Sequence, residues 1–286
     1  MVHHRIDLKR ELEALRAKAE GVFRHERRLP GIHASAEKGE AFVALADAVA
    51  GVEVEHAGGN FYRVLTPASA VWPDAEDFYR EYLETLGSPD FPPPGAAAAA
   101  LEALRPLSTT KPERVCYLDI ETTGLSMSPL FLVGLMYAEG ESLVVDQLFA
   151  RDYSEEETVL RFLVEIAPRF EILVTFNGIT FDVPFIQERM TVSRISFVPP
   201  PLHIDLLPLA RAVVGRRTPN HRLQTLERHF CKRKRIGDIA GAEIPDAYHD
   251  FVRTGNAKDI ANIIHHNRLD LVTMLQLVTV FLAGES

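Results

Sequence analysis

Three strand-length apolar runs succeed one another at 114–120, 130–137 and 142–149, and the third is apolar almost throughout. A strand without polar alternation has to be covered on both faces, so a buried sheet is implied. The chain beyond residue 150 can supply the cover. Helical patterns at 154–168, 183–190, 206–214, 223–230, 245–253 and 258–282 surround a fourth strand at 171–176. Ser154, with Glu157 three residues on, reads as a capping box at the start of the first helix. The last helix is expected to break near His266. The order βββαβα is that of an α/β layer fold, a mixed β-sheet flanked by helices.

Upstream, Leu8, Leu12, Leu15, Ala19 and Val22 recur at helical spacing, and a second helical stretch covers 37–50. Apolar alternation on either side of His56-Ala-Gly-Gly-Asn60 predicts a hairpin. A helix over 74–86, with Asp74 as its cap, precedes the Pro-rich stopper at 88–95. A linking helix at 96–104 and further prolines at 106 and 112 place a boundary near residue 110. The expectation is a smaller α+β N-terminal region, 1–105, of unassigned role, and a chemical domain over 112–284. Aromatic residues of the N-terminal region, among them Phe61, Trp72, Tyr79 and Tyr82, read as core more readily than as base-stacking platforms.

The 286 residues are 47% hydrophobic and 25% charged, the balance of a folded globule rather than a disordered chain. Two distant cysteines, Cys116 and Cys231, exclude a disulfide scaffold or zinc ribbon and fit a reducing cytoplasm. No apolar run is of membrane-spanning length, and no signal-peptide core opens the chain. Net charge is −9, yet nine Lys and Arg crowd 211–235 against the single acid Glu227. Such a window predicts a cationic face for phosphates, with Arg216, Arg217, Arg222, Lys232, Arg233, Lys234 and Arg235 as candidate contacts. The plain alternative is a solvated helix face.

The chemistry sits in acids. Asp119 and Glu121 close the first strand at i, i+2, which puts both carboxylates on one face, where they repel unless a cation joins them. Oxygen ligands of this kind select Mg²⁺ or Mn²⁺ over zinc. Asn177-Gly-Ile-Thr-Phe-Asp182 ends a strand and delivers Asp182 at a helix start, where an N-cap is the ordinary explanation. His265-His266-Asn-Arg-Leu-Asp270 lies in an otherwise apolar helix, and Asp270 could simply pair at the surface with Arg268 or a neighbouring helix. Asp205 could support the site or cap its helix; His203 reads as structural.

Taken together and in this order, Asp119-x-Glu121-Thr-Thr-Gly-Leu, Asn177-Gly-x-x-Phe-Asp182 and the His-containing segment ending in Asp270 resemble the DEDD, or DnaQ-like, 3′–5′ exonuclease superfamily of the RNase H-like fold. His203-Ile-Asp-Leu-Leu, Arg222-Leu-Gln-Thr-Leu-Glu227 and Glu243-Ile-Pro add a likeness to the YprB-like ribonuclease H-like proteins. The resemblance spans about 112–284. It implies a nuclease with two divalent cations, Mg²⁺ or Mn²⁺, held by Asp119, Glu121, Asp182 and Asp270, acting on single-stranded DNA or RNA. It further implies that Thr122, Thr123, Gly124 and Asn177 hold the terminal nucleotide while Leu125 wedges a base. The general base is His266 or His265, and on a continuous helix the four-residue spacing favours His266. A structure-dependent endonuclease, or a non-catalytic nucleic-acid scaffold, are the alternatives; a scaffold would be expected to lack one of the four acids.

Overall fold

The computed structural model describes residues 42–283 apart from 93, 94, 96, 141, 234, 236 and 237. The helix expected over Leu8 to Val22 lies outside the described residues, as does the start of the 37–50 stretch, of which Leu45–Ala48 is a single helical turn. The elements that build the site are β1 (Val52–His56), β2 (Gly59–Pro67), α1 (Ala75–Leu86), β3 (Val115–Thr122), β4 (Leu130–Glu139), β5 (Ser142–Phe149), α2 (Glu156–Ile166), β6 (Ile172–Thr175), α3 (Asp182–Val192), β7 (Leu202–Asp205), α4 (Leu206–Val214), α5 (Leu223–Phe230), α6 (Ile244–Thr254) and α7 (Ile260–Leu282).

All seven strands form one sheet in the order β1-β2-β5-β4-β3-β6-β7. From β1 to β3 neighbours are antiparallel; β6 and β7 run parallel to β3, each reached through a helix, as parallel neighbours require. This is the α/β architecture of a mixed sheet flanked by helices. The hairpin forms as its residues predict. His56 pairs with Gly59, leaving Ala57 and Gly58 as a two-residue turn at φ 51° and 85°. Its second strand then pairs with β5 from Tyr62↔Phe149 to Pro67↔Val144, so this part of the 1–105 region extends the same sheet as the 112–284 segment. Tyr79, Tyr82 and Leu86 of α1 pack in one core with Leu271, Leu275, Val278 and Leu282 of α7, which makes the tyrosines core residues.

Alternation along β3 orients the chemistry. Val115 and Tyr117 belong to the core under α1 and α7, whereas Cys116 and Leu118 face Leu163 of α2 and Ile186 of α3. Asp119 and Glu121 continue the first series and so lie on the face that α7 covers.

Three local expectations need correction. Asp74 holds the cap position of α1, but its side chain makes no cap hydrogen bond. Helix α2 starts at Glu156 without a side-chain cap, because the Ser154 N–H and hydroxyl both donate to Asp152 Oδ1, at 2.8 and 2.6 Å. Glu156 instead accepts from the Leu130 N–H and from Arg189, tying α2 to β4 and α3. Helix α7 is unbroken through His266. Among the described residues no helix is long and apolar enough to cross a membrane.

Candidate functional site

Asp119 and Glu121 are half-buried on β3, and the register with β4 shifts just after Glu121. The chain then turns sharply. Thr122 donates its hydroxyl to the Gly124 carbonyl at 2.7 Å, and Thr123 donates its N–H and hydroxyl to the Pro129 carbonyl. Leu125 and Met127 are left exposed at the tip, 80% and 69% accessible. Glu188 of α3 fixes this loop, accepting from the Met127 N–H at 2.6 Å.

Asp182 is the first residue of α3 and is buried; Phe181 holds the cap position, so Asp182 does not cap the helix. Backbone N–H groups of Asp182 itself and of Ile120 favour its charged form, the latter placing it against β3 between Asp119 and Glu121. The preceding turn needs its residues. Asn177 has φ 71°, and a Cβ on Gly178 would stand 2.5 Å from Thr175 Cβ. Asp205 does both jobs open to it: it accepts from Leu207 N–H as the α4 cap and from Asn177 and Ile179 N–H to hold the turn. Asn177 spends its own Oδ1 on the Thr180 hydroxyl. His203 Nε2 bonds Thr175, a structural contact.

The α7 residues arrive from the opposite side. Asn267, fully buried, donates to Asp119 Oδ2 at 2.8 Å and to its carbonyl at 3.2 Å. Its Oδ1 accepts from Gln147, whose Oε1 accepts from Arg268. Gly134 makes room, since a Cβ there would lie 2.7 Å from Asn267 Cγ. Arg268 is thus turned to Gln147, and Asp270 finds a different partner. Arg235 donates to Asp270 Oδ1 and also to Glu227 and Asp238, at 2.6 and 3.2 Å. His266 Nε2 stands 3.4 Å from Asp270 Oδ2, and Asp238 lies 2.8 Å from its Nδ1. A carboxylate can only accept, so that nitrogen carries the proton. His265 lies half-buried one position earlier on the helix.

The electrostatics show one crowded anionic site. Burial pushes the Asp119 carboxyl well above its ordinary range, and Asp270, Glu121 and Asp182 push it further. Burial raises Glu121 to about 8 against the pull of His266, with Asp270 and Asp182 adding to the rise. Asp182 is pushed up to about 7, again by burial first, then by Asp205 and Asp270. For His266 burial acts downward, but Asp238, Asp270 and Glu121 outweigh it and raise the imidazole to about 9. His265 goes the other way, lowered by burial and by Arg268. Carboxyls that resist ionisation together lack counter-charge.

A hard divalent cation fits this donor set by charge and by ligand type, with Asp119, Glu121, Asp182 and Asp270 as the oxygen donors. Among the described residues no three His, Cys, Asp or Glu side chains are gathered closely enough to hold one ion as they stand. Asp270 is committed to Arg235.

The expected cationic face divides. Arg216, Arg217, Arg222 and Lys232 are exposed, while Lys234 lies outside the described residues. Arg233 is buried and Arg235 is enclosed by three carboxylates, so neither belongs to a solvated face. Sequence reasoning missed Asp238, Asn267 and Gln147. The signal available for Asn267 was a buried-helix position next to His266; Asp238 carried none, because its partner lies 28 residues away.

Residues 116–282 match the family model RNase_H_2 of the RNase H superfamily. The uncharacterized protein YprB of Bacillus subtilis (strain 168) is 29% identical over 167 residues, which cover 56% of this chain and 40% of that protein. DNA polymerase 1 of Aeropyrum pernix is 28% identical over 144 residues, 47% of this chain and 15% of the polymerase. A solved family B DNA polymerase from Pyrobaculum calidifontis aligns with a TM-score of 0.46 at 17% identity, covering 58% of this chain and 24% of that chain. The matched segments thus span less than half of each relative. With the matched segment running through every strand and helix that carries the four acids, the chain belongs to the RNase H superfamily of nuclease-type hydrolases.

Proposed function

We propose that the protein is a metal-dependent nuclease, a 3′–5′ exonuclease on single-stranded DNA or RNA. One observation carries this reading: Asp119, Glu121, Asp182 and Asp270, from β3, α3 and α7, lie close enough that burial and their mutual repulsion raise the first three above the ordinary carboxyl range. RNase H-like nucleases generally use divalent metal ions, and Asp119, Glu121, Asp182 and Asp270 would hold two, Mg²⁺ or Mn²⁺. When bound, the pair supplies Lewis acidity to the scissile phosphate and acidifies the attacking water.

The chain's own residues do the rest. Asn267 fixes one oxygen of Asp119 and so sets the direction of the other. His266 turns its Nε2 toward Asp270, and that nitrogen would take the proton of the attacking water. Asp238 keeps the imidazole oriented from Nδ1. The Thr122–Gly124 turn and exposed Leu125 receive the terminal nucleotide, and Arg216, Arg217, Arg222 and Lys232 contact phosphates without reading bases.

Incubating a 5′-labelled single strand with protein and Mn²⁺ should give a ladder that shortens one nucleotide at a time. Cutting of a closed circle would replace the exonuclease reading by the endonuclease one. A second reading, a non-catalytic nucleic-acid-binding protein, is favoured by Arg235 already supplying a cation to Asp270. Thermal stabilisation by Mn²⁺ in the parent, absent in Asp119→Ala, supports the metal site that the nuclease reading needs; indifference in both speaks for the second reading.

A further inference from the structure

Beside the carboxylate cleft lies a cavity of about 450 Å³ lined by Gln224, Glu227, Arg228, Arg233, Arg235 and Asp238. That volume falls within the range of small-ligand sites. Its walls carry three arginines against two acids: Arg235 pairs with both, and Glu227 pairs with Arg233 as well. Arg233 is different. It is only 7% exposed, and none of its three guanidinium nitrogens has a hydrogen-bond acceptor, although Glu227 Oε1 stands 3.1 Å from Nη1. Trp72 covers the guanidinium plane, its ring centre 4.1 Å from the central carbon.

A buried guanidinium with unmet donors is costly unless something accepts from it. Arg233 lines the cavity with a planar fork of donors, the group that pairs with two oxygens of a phosphate. Arg228 is exposed at the rim and can add a second cation. Arg235 bridges cavity and cleft, since it also binds Asp270.

We propose that this cavity is a phosphate-binding subsite, with Arg233 as its anchor and Arg228 at its rim, which takes a backbone phosphate of the strand next to the scissile one. The class of ligand rests on the nuclease reading; the anion site itself does not. It would fix how far the strand advances after each cut, because it grips one phosphate at a set distance from Asp270.

The test uses the full chain in EDTA, where nothing is hydrolysed, and measures anisotropy of labelled single strands that each carry one uncharged methylphosphonate linkage. One linkage near the 3′ end should weaken binding to the parent about tenfold, the scale of a lost charge-assisted hydrogen bond, and should leave Arg233→Gln indifferent. Arg228→Gln, on the exposed rim, should show a smaller loss at the same linkage and covers the case in which Arg233→Gln fails to fold. Variants that respond to every linkage as the parent does overturn the subsite while leaving the nuclease reading intact. A second arm uses inorganic phosphate alone and reads the melting temperature. A rise in the parent that Arg233→Gln lacks supports the anion site even where no strand binds, an outcome that would sink the nuclease reading instead. No response of the parent to phosphate, with no strand bound, overturns the proposal.

Discussion

Among the described residues an arginine–aspartate pair is buried in two places, one where the hairpin joins the sheet and one over the last helix. At the first, Arg63 on β2 donates twice to Asp146 on β5, both at 2.8 Å, and the Tyr137 hydroxyl donates to the same carboxylate at 2.9 Å. The geometry is bidentate, and Asp146 is wholly enclosed. At the second, Arg235 is divided among Asp270, Glu227 and Asp238, with Asp119, Glu121 and Asp182 close by and unbalanced. Burial of ions is tolerable when charges are matched and hydrogen-bonded, as they are around Arg63. Leaving the other cluster unmatched costs stability, and the proposed cations would supply the missing charge.

Removing an anion should therefore have opposite consequences in the two places. Asp119→Asn is expected to abolish Mn²⁺-dependent hydrolysis, by at least about a thousandfold, while leaving the metal-free melting temperature equal or higher. Arg63→Met strands Asp146 and should cost about 3–5 kcal/mol, a fall of roughly 10 °C in melting temperature. Calorimetry and a nuclease assay on the same preparations check both. A stability loss in Asp119→Asn as large as that in Arg63→Met would erase the distinction. The two histidines divide the same way on a smaller scale. His266→Gln should lower kcat roughly a hundredfold or more, the usual worth of a general base, and His265→Gln should leave it within about twofold.

Strands and helices were legible because they depend on local apolar patterns, and the three acidic motifs were legible as a set. What the sequence hid were contacts made by distant residues. The failed capping box is the local exception: Asp152, two residues before Ser154, takes its N–H and hydroxyl as an Asx-turn. A break near His266 looked reasonable because His266, Asn267 and Asp270 interrupt an apolar helix; the helix runs on because Asp238, Asp119 and Arg235 partner those residues from other elements. The dense arginines of 211–235 suggested a cationic face for phosphates, yet Arg235 reaches an aspartate 35 residues further along the chain and turns inward.

The pH dependence of the metal-free protein is set by the unbalanced cluster. Glu121 moves from 4.5 to about 8 and Asp182 from 3.8 to about 7, so the folded chain holds protons that the unfolded chain has released. For carboxyls shifted in this direction, stability is greatest below the ordinary value and is lost as pH rises through the shifted one. His266 moves from 6.5 to about 9, and its contribution is likewise present below 6.5 and lost toward 9. All three act in the same sense, and the melting temperature in EDTA should fall steadily from pH 5 to pH 9. Saturating Mn²⁺ should remove most of that fall, and the slope should be unchanged by replacing Arg63.

The smallest expected effect is also the one that separates the two arginines most cleanly. Arg235→Gln removes the only guanidinium hydrogen-bonded to Asp270 among the described residues and leaves Glu227 and Asp238 without its donation. The metal-free protein should lose stability. Unlike the loss in Arg63→Met, this one should be largely recovered by Mn²⁺, because a divalent ion can return positive charge to Asp270 where nothing can return it to the enclosed Asp146. Asp270 would also be freed from a competing cation, so half-saturation should come at a Mn²⁺ concentration several-fold lower than in the parent. A titration followed by thermal melting reads both quantities. If Mn²⁺ restores neither variant, Arg235 is a structural counter-ion of the same kind as Arg63, and the asymmetry between the two buried pairs is one of geometry alone.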